Sequence, residues 1–143
     1  MLKVKLISAS VAMLALLAAP AFAEETKFMA MLSGAEEVPP TTSAGTGTAN
    51  VTWNSDTKEL SWTIEFSGLS GPAVAAHFHG PADPGANAGP VVTIDDLESP
   101  SEGKATLTDE QAADLAAGKW YINLHTAASP DGEIRGQVTE GSM

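Results

Sequence analysis

Leu60-Ser61-Trp62-Thr63-Ile64-Glu65-Phe66 alternates apolar and polar side chains without a break. A β-strand sends successive side chains to opposite faces, so this run places Leu60, Trp62, Ile64 and Phe66 on one apolar side and Ser61, Thr63 and Glu65 on the other. Upstream, Thr48 to Trp53 repeats the alternation, and Asn54-Ser55-Asp56-Thr57-Lys58 between the two runs has the composition of a hairpin loop. Residues 27–33 alternate Phe28, Ala30 and Leu32 against Lys27, Met29 and Met31. Further strands are expected over 73–79, 91–94, 104–107, 120–125 and 133–138, separated by turns rich in Gly, Pro, Asn and Asp. One helix is expected after Thr108, where Thr108 and Gln111 form a capping-box pattern, Asp109 and Glu110 suit the first turn, and Gly118 supplies a stop. About eight short strands and one short helix predict an all-β fold, a Greek-key β-sandwich or barrel of immunoglobulin-like or superoxide-dismutase-like form. The expected core is Phe28, Leu32, Trp62, Ile64, Phe66, Trp120, Ile122, Leu124 and Ile134. Trp53 has two readings, a core aromatic or part of an exposed patch.

The chain opens on the basic Met1-Leu2-Lys3-Val4-Lys5, continues with an apolar run to about Ala19, and reaches Ala21-Phe22-Ala23 before Glu24-Glu25. This pattern predicts a signal peptide over residues 1–23, cleaved after Ala23, and a secreted or periplasmic domain over 24–143. The apolar run is short for a membrane span, and no transmembrane anchor is expected after cleavage. The remaining 120 residues keep five basic side chains against 18 acidic ones, a net charge of −13. Such a surface repels nucleic acid and anionic lipid. There is no cysteine, which excludes disulfides, thiolate metal sites and thiol catalysis.

Phe28-Met-Ala-Met-Leu-Ser-Gly-Ala-Glu-Glu-Val-Pro-Pro40, Gly45-Thr-Gly-Thr-Ala49, Leu60-Ser-Trp-Thr-Ile64, Phe66-Ser-Gly-Leu69, His77-Phe-His-Gly-Pro-Ala82, Gly118-Lys-Trp-Tyr-Ile-Asn-Leu-His-Thr126 and Gly132-Glu-Ile-Arg-Gly-Gln-Val138 follow one another in the chain. Together they resemble the CHRD domain, a module first recognised in chordin and widespread in bacterial exported proteins. The resemblance spans nearly all of the chain after residue 23. It implies a compact β-sandwich or barrel acting as an interaction module, and it carries no established reaction. Chordin binds growth factors, but this chain lacks chordin's cysteine-rich modules and does not inherit that partner. The ligand is an unknown protein or small molecule.

The chemistry-bearing residues are the three histidines. His77 and His79 are two apart and share one face of their strand, with Phe78 on the other. Trp120, Ile122 and Leu124 face the core, which places Tyr121, Asn123 and His125 on the opposite side. If the two strands are close, His77, His79 and His125 share a surface. Three imidazoles without thiolate suit copper or zinc. Asp83, Asn123 and Asp131 are the candidates for orienting a ring. His-x-His also looks like the copper strand of copper/zinc superoxide dismutase, but that enzyme needs more histidines and a disulfide, so dismutase activity does not follow. A second reading stays open: histidines at strand ends fix neighbouring loops by hydrogen-bonding their carbonyls.

Other groups carry less. Glu36 and Glu37 would face different ways and make no carboxylate pair. Glu133 and Arg135 share a face and are expected as an exposed ion pair or a surface charge pattern. Asp95, Asp96, Glu98 and Glu102 form an acidic stretch without an EF-hand pattern. There is no Gly-x-Ser-x-Gly elbow and no phosphate loop. The sequence therefore reads as a non-enzymatic binding module. The alternatives are a periplasmic copper- or zinc-binding protein using the three-histidine site, with or without redox activity, and a passive structural domain of the cell envelope.

Overall fold

The computed structural model describes residues 10–15 and 24–142. The signal-peptide expectation for residues 1–23 falls outside them except at residues 10–15, which are exposed and without regular structure.

Eight strands run through the described residues: β1 (Glu25–Ser33), β2 (Thr46–Asn54), β3 (Glu59–Ser67), β4 (Ala73–His79), β5 (Pro90–Thr93), β6 (Ser101–Thr106), β7 (Trp120–Thr126) and β8 (Ile134–Glu140). All pairings are antiparallel in the order β5-β4-β7-β8-β1-β2-β3-β6. They form a single sheet curled into a nearly closed barrel, with β5 and β6 at its two ends. Of the two expected forms, this is the barrel. Consecutive strands β3 and β4 are not neighbours in the sheet; they face each other across the core, where Trp62 meets Phe78 edge-to-face at 5.1 Å and Phe78 meets Trp120 at 5.8 Å. Gly103 of β6 lies opposite Trp62 in the ladder, and a Cβ there would collide with the indole ring.

Every expected core residue lies inside except Phe66, which is half-buried near the end of β3. Trp53 packs in the core rather than in an exposed patch. The helix α1 (Asp109–Ala116) forms as the sequence predicts. Thr108 Oγ1 accepts from the Gln111 backbone N–H, and Gln111 Oε1 accepts from the Thr108 backbone N–H. Gly118 takes φ +73°, and the Gly118 and Lys119 N–H groups return to the Leu115 and Asp114 carbonyls. That is the Schellman arrangement, which a left-handed glycine makes available at no steric cost.

β7 departs from simple alternation. Its inward residues Trp120, Ile122 and Leu124 are buried, but so are Tyr121 and Asn123 on the outward face. Two loops close over that face. Residues 34–45 and residues 80–89 lie across β4, β7 and β8, tied together where Asn87 Nδ2 donates to the Val38 carbonyl at 3.0 Å.

Candidate metal centre

Register sets the layout of the covered face. His77 is opposite Asn123 and His79 is opposite Tyr121 across β4 and β7, while Asn123 and Tyr121 are opposite Arg135 and Gln137 across β7 and β8. Period-2 alternation then points His77, His79, Tyr121, Asn123, His125, Arg135 and Gln137 to the same side.

The three histidines converge. One ligand nitrogen from each of His77, His79 and His125 lies within 4.8 Å of the other two, and each residue is half-buried. His77 Nδ1 and His125 Nε2 are 3.4 Å apart. That pair already has the ~3–3.5 Å separation expected of nitrogens on one ion with bonds of about 2 Å. The full set is wider than that, so a small inward rotation of a ring would be needed to seat an ion.

The other ring nitrogens explain the orientation. His79 Nδ1 lies 2.9 Å from the Ala88 carbonyl, and His125 Nδ1 lies 2.9 Å from the Pro130 carbonyl. A carbonyl only accepts, so both Nδ1 atoms carry the proton, and in the neutral ring each Nε2 keeps a lone pair, that of His125 placed to accept from His77 Nδ1. His79 Nε2 is buried with no hydrogen-bond partner. The loop-anchoring and ligand readings of these residues therefore use different nitrogens and are compatible. Burial, and then the neighbouring His125, hold His77 below the ordinary histidine value. Burial is also the main cause lowering His79, joined by His77, His125 and Arg135 and opposed by the Ala88 hydrogen bond.

The residues expected to orient the rings sit elsewhere. The Asp83 carboxylate accepts from Lys119 at the surface. Asp131 is exposed, one residue past the carbonyl that His125 uses. Asn123 lies on the expected face, but its amide packs against Gly132 and donates to Glu37. Backbone carbonyls of the two adjoining loops do the orienting.

Around the histidines is a polar layer that the sequence reading missed. The His79 ring stacks on Tyr121 with centroids 4.9 Å apart and planes within 3°. The Arg135 guanidinium lies 3.4 Å from the Tyr121 ring centroid, a cation–π contact from the strand on the other side. Arg135 also donates to Asn87 Oδ1 at 3.0 Å and to the Ala86 carbonyl at 2.7 Å, and Tyr121 Oη donates to the Ala88 carbonyl at 3.0 Å. Glu133 and Arg135 are both buried and do not pair with each other, which corrects the expectation of an exposed ion pair or a surface charge pattern. Glu133 is held by Ser43, Ser70 and Thr126. Burial alone would raise its carboxyl, but those hydrogen bonds prevail and keep it below the usual carboxylate range. Glu37 is buried too, and loss of solvent pushes it up to about 7 against the opposing pull of Arg135 and Asn123. The one available signal was pairing: residues opposite Tyr121 and Asn123 inherit whatever covers them.

The described residues thus define an all-β, barrel-like antiparallel domain whose histidines and buried charges lie on a loop-covered outer face of the sheet. The chain matches the family model of the CHRD domain over residues 28–138 and belongs to that family. No curated protein and no solved structure matches it. Among the described residues, no helix is long and apolar enough to cross a membrane.

Proposed function

We propose that the protein is an exported, non-enzymatic binding module whose ligand is a transition-metal ion, copper(II) or zinc, held by His77, His79 and His125. Membership of the CHRD family supports the module reading and a place outside the cytoplasm, whether periplasmic or extracellular. The observation that carries the metal reading is the convergence of one ring nitrogen from each of His77, His79 and His125 within 4.8 Å, together with a buried His79 Nε2 that has no hydrogen-bond partner. A buried polar atom without a partner costs free energy, and an ion shared by the three rings would remove that cost. The donor set narrows the metal. Three neutral imidazoles with no carboxylate or thiolate fit copper(II) and zinc better than calcium, magnesium or a blue-copper centre.

The test is a copper and zinc titration of protein purified without a histidine tag, compared with His77→Ala. One ion per chain in the wild type, lost in the variant, is the expected result. Affinity should fall as pH drops below about 6.5, since protonated imidazole cannot ligate. The depressed values of His77 and His79 move the onset of proton competition below that of free histidine. If the wild type binds no stoichiometric metal, His79 and His125 serve only as loop anchors, and the ligand of the module is a protein or small molecule.

A further inference from the structure

The three histidines are the group of close donors that could hold an ion among the described residues, and they supply three ligand atoms. Copper(II) and zinc take at least four. Among the described residues no carboxylate, Asp131 included, joins that group. Gln137 Oε1 has no partner, but its amide is drawn by Nε2 to the Ala82 and Gly118 carbonyls. The other oxygens on this face are committed or turned away. Tyr121 Oη bonds both the N–H and the carbonyl of Ala88. The Ala88 and Pro130 carbonyls already accept from His79 and His125. Asp83 is held by Lys119. The Asn123 amide retains a free Oδ1, but it lies against Gly132, in the loop just before β8 and on the far side of β7 from β4, and its Nδ2 is bound to Glu37. Each imidazole keeps partial exposure, and although His79 Nε2 itself is buried, the His125 side of the group is exposed.

Resting on the metal reading above, we infer that an ion at this centre keeps one coordination position open to solvent and takes a small monodentate anion there. Three neutral nitrogens leave the full charge of a divalent ion uncompensated, which favours an anionic fourth ligand over a neutral one. The acidic chain opposes this only weakly. Its exposed charges are screened over about 8 Å at physiological ionic strength, whereas the coordination bond acts at about 2 Å. Sites that serve only to stabilise a fold have all four positions filled by protein; a three-histidine set with a vacancy is the open kind. The centre would accordingly capture a small anion, or present its ion to one donor of another molecule.

The experiment loads the wild-type protein with one equivalent of copper(II) and titrates it with azide, following the absorption spectrum and the electron paramagnetic resonance signal. A saturable change with one azide per copper is expected, with the copper retained after the azide is removed by desalting. In Asn123→Ala the copper spectrum before azide should match that of the wild type. Copper that binds but shows no response to a large excess of azide marks a closed centre and overturns the inference, leaving the metal reading intact. An altered copper spectrum in Asn123→Ala, with azide binding absent in the wild type, identifies Asn123 as the fourth donor and overturns it likewise. Loss of copper to the azide solution overturns it too. Failure of the wild type to bind copper or zinc at all refutes the metal reading itself, and the open position with it.

Discussion

Glu37 follows a glutamate and precedes Val38-Pro39-Pro40, a context with no periodicity to indicate a face. The loop folds it inward, against Asn123 and Gly132 and within the influence of Arg135. Its folded value of about 7 stands above its ordinary 4.5. Between those two values the folded chain binds more protons than the unfolded chain, so this group's contribution to stability is full below 4.5 and declines as pH rises through about 7. Glu37→Gln keeps the uncharged form at every pH. Its amide can accept from Asn123 Nδ2 and donate to Asn123 Oδ1, which otherwise has no partner. The variant should be more stable than the wild type above about pH 8, by on the order of 1–3 kcal/mol, and close to it near pH 4. Denaturant unfolding at both pH values checks this, and a variant destabilised at both would mean that the ionised carboxylate is the form the fold prefers. The histidines were legible at this scale because two-residue spacing fixes a shared face. Glu37, Glu133 and Arg135 were not, because their burial comes from chain distant in sequence.

At the scale of the element, the strands and the helix were readable wherever one side of the pattern was apolar. β4 begins and ends where expected, and the capping box at Thr108 predicted its own hydrogen bonds. β7 was read correctly on its inward face and incompletely on its outward face, since alternation describes a strand and not the loops laid over it. In β3 the alternation carries most weight at Trp62, which meets Phe78 across the core and fills the space left by Gly103. Trp62→Ala should cost on the order of 3–5 kcal/mol, the range for removing a large buried aromatic. Chemical denaturation with tryptophan fluorescence from the remaining indoles would measure it. A loss below about 1 kcal/mol would place the ring outside the cooperative core.

For the whole molecule, the two covering loops join sheet and site into one unit. The 80–89 loop is pinned by His79, Tyr121 and Arg135, one residue from each of three adjacent strands, and the 34–45 loop by Glu133 and Asn123. Fold class was legible from period and turn spacing, but this covering was not, because irregular loops of Gly, Pro and Ala carry no pattern that reveals where they lie. Export belongs to this scale as well. Strand β1 begins at Glu25, so cleavage after Ala23 would leave a single residue ahead of the sheet. Intact-mass measurement of the exported protein should give a chain starting at Glu24; a mass that includes residues 1–23 would refute cleavage.

The two end strands of the curled sheet bear on how the molecule behaves in a crowd of its own kind. Unpaired N–H and C=O groups on an end strand invite another chain to add a strand, the first step towards aggregation. Here one end, β5, is four residues long and starts with Pro90, which has no N–H to offer. The other, β6, exposes Glu102 and carries Lys104, whose ammonium lies 3.9 Å from Glu59. A neighbour attempting to add there would meet charge at one end and a missing donor at the other. If the domain is exported, as proposed above, it works where ATP-driven refolding is not at hand, and ends with so little to template would resist strand addition between its own copies.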